Sequence, residues 1–282
     1  MKNKITGIMV ALVFLLLLSC SKEEEKIEGA EIQTTTVVEK ISELDLGYQN
    51  LEEGKKHNEL LDIILTNWSI DQNDEASIVK EIKRILKEHT EEFAIANNFE
   101  YEEFIKNVDF DIESMRVVDN MSIDHLKKIG YSARLAQKTV QFYNEFISLN
   151  GTENVAELQE AFLSHYQENV SDLSKDDQIY FGMMIDIAVH STYFWYPKER
   201  GGMNKLAEFS GDTSQIYAKA NIWPGWGRVF LADCIGAVTG GVSSVISSGG
   251  ATAIPNPGLG GLPTASAVAI ITGAGASAGK AI

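Results

Sequence analysis

Two residues with side chains suited to proton transfer or metal binding, Asp186 and His190, stand four positions apart. On a helix this spacing places both side chains on one face, where they could supply two ligands to a metal ion. A structural zinc site needs about four ligands, and no further His or Cys follows at a suitable spacing. The sequence therefore favours a buried Asp–His hydrogen-bonded pair, and it predicts no metal site, no cofactor and no catalytic residue.

A second candidate, the acidic stretch that begins at Asp71, starts like a calcium-binding loop with the pattern Asp-x-Asn-x-Glu. The sixth position of such a loop requires glycine and the twelfth an acid, but Ala76 and Ile82 stand there. The glycines near the C terminus also lack the order of Lys and Ser that a phosphate-binding loop requires. An enzyme is therefore the least supported class of function.

Cys20 is the residue with the clearest predicted chemistry. It follows Leu-Leu-Ser at positions 17–19, and the preceding run 5–19 is uncharged and begins after two lysines. Such a run, shorter than the ~20 residues that span a bilayer, is typical of a secretory signal peptide. Leu-Leu-Ser-Cys resembles the lipobox of bacterial lipoproteins. The resemblance implies that residues 1–19 are removed and that Cys20 carries the lipid.

The residues directly after Cys20 form a second signal, in which Ser21 is followed by Lys22, Glu23 and Glu24. Cys-x-Lys with two acidic residues resembles the export signal of surface lipoproteins of the Bacteroidetes. That resemblance implies an outer-membrane lipoprotein that faces the cell exterior and meets the membrane through its lipid. The alternative is that the acidic run is only part of a solvated, flexible tether over residues 20–48.

The overall charge limits the possible partners. The chain contains 24 Lys and Arg against 40 Asp and Glu, which gives a formal net charge of −16. This excess disfavours nucleic acids and anionic membrane surfaces, because both repel an acidic protein at long range. If Cys20 carries lipid, Cys234 has no cysteine partner in the chain, and its apolar neighbours predict a buried thiol.

Apolar residues recur at helical spacing through the region 49–222. Four amphipathic stripes run over residues 60–68, 78–96, 135–149 and 155–166. A further stretch, 179–195, is apolar on almost every side, which is typical of a buried helix. Ser174 offers a cap before it and Pro197 ends it. The predicted fold is mainly α, a helical bundle-like body in which the other helices pack around this one.

The C-terminal segment 223–282 has a different composition, because it contains no charged residue and no His between Cys234 and Gly279. Small residues recur there every four positions, in the series Gly236, Gly240, Ser244 and the series Ala265, Ala269, Gly273. On a helix each series forms a smooth face that another backbone can approach closely. A loop rich in Gly and Pro separates the two series, so the pattern predicts a Gly/Ala/Ser-rich helical hairpin of the glycine-zipper kind.

The uncharged, glycine-rich pattern of this hairpin resembles the membrane-active part of two-peptide bacteriocins. The resemblance is confined to the C-terminal segment, and the chain lacks an obvious double-glycine leader. It implies insertion into a membrane or self-association. The alternative is that the hairpin packs on the central helix, which we favour because Gly and Ser contribute little transfer free energy.

Two functions follow from these patterns. The first is a surface-exposed, non-catalytic lipoprotein that acts by interaction with a protein partner. The second is a membrane-active or antagonistic protein that works through its C-terminal hairpin.

Overall fold

The computed structural model describes residues 52–70, 74–97, 99, 101–106, 116, 118–119, 121–149, 153–205, 226–247, 270–276 and 278. Within these ranges the chain is mainly helical and has no strand, so the predicted fold class is confirmed. The lipid-attachment residue Cys20, the signal residues Lys22, Glu23 and Glu24, and the small residues Ala265 and Ala269 lie outside the described residues.

The described residues form nine α-helices and one further helical stretch at 270–276. The helices are α1 (Glu53–Thr66), α2 (Glu75–His89), α3 (Glu91–Ala96), α4 (Tyr101–Lys106), α5 (Ile123–Lys128), α6 (Ala133–Phe146), α7 (Val155–Asn169), α8 (Lys175–Trp195) and α9 (Trp226–Ser247). Short 3-10 helices span Val170–Asp172 and Lys198–Arg200.

Short polar side chains mark where several helices begin. Asp74 accepts a hydrogen bond from the N–H of Ser77 at the start of α2, at 3.0 Å. Ser174 accepts one from the N–H of Asp177 at the start of α8, at 3.2 Å. These bonds satisfy N–H groups that the first helical turn leaves without a partner. The predicted cap at Ser174 is confirmed.

The helix α8 lies at the centre of the domain, as its apolar sequence predicts. The helices α1, α6, α7 and α9 all pack against it. Aromatic side chains join the outer helices beside it, and Phe162 of α7 stacks on Phe230 of α9 with ring centroids 5.4 Å apart. Phe162 is 0% exposed and Phe230 is 1% exposed. Because almost all residues of α8 from Tyr180 to Trp195 are buried, no amphipathic pattern is needed in its sequence.

The helix α9 is part of this core. Its apolar side chains Val229, Phe230, Leu231, Ile235 and Val238 are at most 1% exposed. Cys234 is also fully buried and free, as predicted, and burial raises the pKa of its thiol. In the part of the chain that the structure describes, no helix is both long and apolar enough to cross a membrane.

The predicted stripe from Ile78 to Ala96 consists of two helices. The helix α2 ends before Thr90 and α3 begins after it, because Thr90 has φ −115° and ψ 8°, outside helical geometry. The buried hydroxyl of Thr90 donates a hydrogen bond to the carbonyl oxygen of Leu86. The break rotates the following residues, so that Ala94 is buried and Ala96 is exposed.

Candidate functional site

A buried carboxylate, Asp233, lies in the apolar helix α9. Its side chain is 0% exposed, and its Oδ2 accepts hydrogen bonds from Ser191 Oγ and, at 2.8 Å, from Trp195 Nε1. Ser191 and Trp195 stand four residues apart, so one face of α8 supplies both donors. These bonds offset part of the cost of removing a carboxylate from water.

His57 of α1 pairs with the same carboxylate. Its Nε2 lies 3.1 Å from Oδ1 of Asp233, and both side chains are fully buried. The contact is an ion pair by distance, but its angle is not that of a hydrogen bond. The other ring nitrogen, Nδ1, lies 3.1 Å from Oδ1 of Asn58. A helix near the start of the domain is thus in contact, through His57 and Asp233, with a helix near its end.

Ser191, Asp233 and His57 are the residue types of a serine hydrolase, but their contacts follow a different order. In a catalytic triad the imidazole contacts the serine hydroxyl and takes its proton. Here the hydroxyl donates to Asp233, which lies between Ser191 and His57. All three residues are 0% exposed. This arrangement joins helices and does not activate a nucleophile.

The sequence motif Gly-x-Ser-x-Gly, which surrounds the nucleophile of many serine hydrolases, occurs at residues 275–279. In a nucleophile elbow the serine follows a strand and precedes a helix. Residues 270–276 are helical, and Ser277 lies outside the described residues. The part of the pattern that is described therefore does not have the geometry of an elbow.

A second polar cluster lies where α1 begins. Oδ2 of Asp186 accepts a hydrogen bond from the N–H of Gly54, at 2.7 Å. Glu52, at the N-cap position of α1, makes no side-chain capping bond. The carboxylate of α8 therefore caps α1 from outside the helix and also faces the positive end of its dipole. One turn later, Asn58 Nδ2 donates to the carbonyl oxygen of His190, at 2.8 Å.

In this cluster, nearby groups do little to stabilise the charged form of the Glu53 carboxyl group. Its side chain is 4% exposed, and its Oε2 has no hydrogen-bond partner. Burial, followed by the nearby charge of Asp186, raises the pKa of Glu53 to about 7. Glu81 of α2 shows the contrasting case, because hydrogen bonds from Arg84 chiefly lower the pKa of Glu81 to about 2. The pKa values of the two glutamates differ because Glu81 accepts hydrogen bonds from an arginine, whereas Glu53 is buried beside another acid.

The predicted pair of Asp186 and His190 is in contact on α8. Nδ1 of His190 lies 3.4 Å from Oδ1 of Asp186, but its hydrogen bond is to the main-chain carbonyl oxygen of Asp186, at 3.0 Å. Burial lowers the pKa of His190, but the charge of Asp186 and the hydrogen bond to its carbonyl oxygen outweigh that effect and raise the pKa overall. Among the described residues, no group of three or more His, Cys, Asp or Glu is placed to hold a metal ion.

The small-residue faces meet close to Asp233. A Cβ added to Gly236 would lie 3.3 Å from Cα of Gly273, so the two backbones are in close contact. Gly240 is buried in α9, and Ser244 belongs to the same helix. The structure thus brings together one member of each predicted series, Gly236 and Gly273.

The sequence reasoning missed His57 and Asp233, although a signal for Asp233 was present. It is the last charged residue before the uncharged run. It stands three residues after Phe230 and four before Ala237, which places it on an apolar face of α9. An acid in that position needs a buried partner. Nothing in the sequence indicates that the partner is His57.

The two clusters connect helices that are distant in the sequence. His57 joins α1 to α9, Asp186 joins α8 to α1, and Ser191 and Trp195 join α8 to α9. The chemistry they offer is the reversible protonation of buried groups. Comparison with known proteins finds no family model that matches this chain, and no similar curated protein or solved structure.

Proposed function

We propose that the protein is a lipid-anchored lipoprotein of the outer membrane, displayed on the cell exterior, whose helical domain acts by non-catalytic interaction. The observation that carries the proposal is Cys20 directly after Leu-Leu-Ser, at the end of a lysine-led apolar run. Lys22, Glu23 and Glu24 support the outward orientation. The net charge of −16 supports anchoring by lipid, because the domain itself is repelled by anionic headgroups.

The polar clusters of the domain support the non-catalytic part of the proposal. The Ser191 hydroxyl, which could serve as a nucleophile, is committed to Asp233 and fully buried. The thiol of Cys234 is buried and has a raised pKa, so its reactive thiolate form is disfavoured. These groups stabilise contacts between helices, and a partner would meet the outer surface of the domain.

We expect Cys20→Ala to abolish lipid attachment, because the sulfur of Cys20 is the atom that would carry the lipid. Cells grown with labelled palmitate report acyl incorporation, and detergent phase partitioning reports the anchor. The matched control is Cys234→Ala, which removes the other cysteine and should keep the label. Label that persists in Cys20→Ala would overturn the anchoring proposal.

We expect replacement of Lys22, Glu23 and Glu24 with Ala to leave the lipid in place but to hide the protein from protease added to intact cells. The physical reason is that a transport signal is read from these side chains, whereas acylation needs only Cys20. The control replaces Lys26, Glu28 and Glu31, which carry the same charges further along the tether. If protease added to intact cells cleaves both triple variants to the same extent, the acidic run is only a linker.

A second candidate function is membrane activity through the C-terminal segment. It is favoured by one observation, that Asp233 is the single charged residue between Arg228 and Lys280. Because α9 is packed against α8, insertion would require its release from the core. Release of a trapped dye from phosphatidylcholine vesicles by the full-length protein tests this candidate. Vesicles that retain the dye at every protein concentration exclude it and leave the interaction proposal.

A further inference from the structure

The helix α1 is seated directly on the backbone of α8. A Cβ added to Gly54 would lie 2.5 Å from Nδ1 of His190 and 2.6 Å from the carbonyl oxygen of Asp186. Only glycine allows so close an approach, since real Cβ contacts are essentially never shorter than 3.0 Å. The hydrogen bond from Gly54 to Asp186 holds the start of α1 in this position.

The next turn of α1 covers the contact between the C-terminal helices. Nε2 of His57 lies 3.1 Å from Oδ1 of Asp233 in α9. Cδ2 of the same ring lies 3.2 Å from the position that a Cβ on Gly273 would occupy. Movement of α1 away from α8 would therefore uncover Asp233 and Gly273 together.

The contact between the start of α1 and α8 is rich in ionisable groups. Glu53 and Asp186 are 4% and 1% exposed, and each has a carboxyl oxygen, Oε2 and Oδ1 respectively, without a hydrogen bond. The titratable and charged groups around them are Glu52, Lys55, Lys56 and His57 on α1, His190 on α8, and Asp233 on α9. The charge of Asp186 and burial together disfavour the ionised form of the Glu53 carboxyl group.

We propose that α1 is a pH-sensitive latch over the C-terminal helices, closed in mildly acidic surroundings by the neutral form of Glu53 and released as that carboxyl ionises. In the closed position the ionised form would place a second negative charge beside Asp186, out of contact with water. When α1 opens, water solvates both carboxylates. The latch is independent of the nature of the partner and of the lipid anchor.

The sign of the effect follows from proton binding. The pKa of Glu53 is about 7 in the closed domain, against 4.5 for an ordinary glutamate. Between these values the closed form keeps a proton that the open form has lost, so rising pH favours opening. From about pH 5.5 to about pH 8.5 this linkage increases the opening equilibrium constant about 30-fold. His190 acts in the same direction, because its raised pKa means that the closed form favours its protonated state.

Amide hydrogen exchange on the full-length chain in a mild non-ionic detergent tests the latch. Protection of the α1 amides, corrected for the intrinsic effect of pH, is compared with that of the α7 amides at about pH 5.5 and about pH 8.5. We expect α1 to open about 30-fold more at the higher pH, while α7 changes much less. Glu53→Gln should remove most of this dependence and leave only the contribution of His190, because the amide does not titrate and has nearly the same shape.

Glu59→Gln is the matched control, since Glu59 is an exposed glutamate on the same helix. It should keep the pH dependence of the unaltered protein. The latch is wrong if α1 is equally protected at both pH values, if α1 and α7 lose protection to the same extent, or if Glu53→Gln keeps the full dependence of the unaltered protein. Asp186→Asn provides a further check. It removes the neighbouring charge but keeps an oxygen for the Gly54 N–H, so it should lower the pKa of Glu53 in the closed domain and make the increase in α1 opening between the two pH values smaller.

Discussion

Replacement of Asp233 with Ala is expected to lower the free energy of unfolding by about 3–5 kcal/mol, because it leaves two buried donors without an acceptor and opens a cavity. The change leaves His57 in the core without its acidic partner. It also leaves the Ser191 hydroxyl and the Trp195 Nε1–H without their acceptor. A buried donor without an acceptor costs about 1–3 kcal/mol, and a cavity adds to the loss.

Guanidinium unfolding of the full-length chain in mild detergent, followed by circular dichroism, measures this loss. Asp124→Ala is the control, because Asp124 is exposed on α5, and it should cost about 1 kcal/mol or less. Asp233→Asn should fall between the two, since it keeps an oxygen that can accept from Ser191 and Trp195 and changes the atom that faces His57. A loss for Asp233→Ala no greater than for Asp124→Ala would show that the buried cluster does not stabilise the fold.

The fold class could be predicted from the sequence because a buried helix is encoded in its own residues. The apolar run of α8 has no polar face to turn to solvent, so its central place follows from its composition. The break at Thr90 could not be predicted in the same way. Ile78 to Ala96 keeps a helical period across it, and the run contains no Gly or Pro that would indicate where α2 ends.

The buried clusters could be predicted only in part. Asp186 and His190 share one helix, so their contact follows from helical geometry alone. His57 and Asp233 meet only because of how α1 crosses α9, and that crossing leaves no short-range pattern in the sequence. Glu53 is the most instructive residue. An acid in a first helical turn is normally favourable because of the helix dipole, but burial beside Asp186 raises its pKa instead.

The contact between α9 and residues 270–276 leads to the second large effect. Gly273→Ala should destabilise the domain by about 1–3 kcal/mol, the usual cost of forcing an extra methyl into a packed interface. Its new Cβ would lie 2.6 Å from the carbonyl oxygen of Asp233, and backbone atoms cannot move aside without displacing α9. That displacement would also disturb the pair of Asp233 and His57.

Gly236→Ala is the matched control on the facing helix, and we expect it to be much milder. Its Cβ would lie 3.1 Å from Cβ of Ala276 and 3.3 Å from Cα of Gly273, distances that a small adjustment relieves. The gain of about 1 kcal/mol in helix propensity from Gly to Ala then offsets much of the crowding. The same unfolding measurement ranks the two variants. If Gly236→Ala is as damaging as Gly273→Ala, close approach to the Asp233 carbonyl oxygen is not what limits this interface, and helix packing through the small-residue series would have to be centred elsewhere.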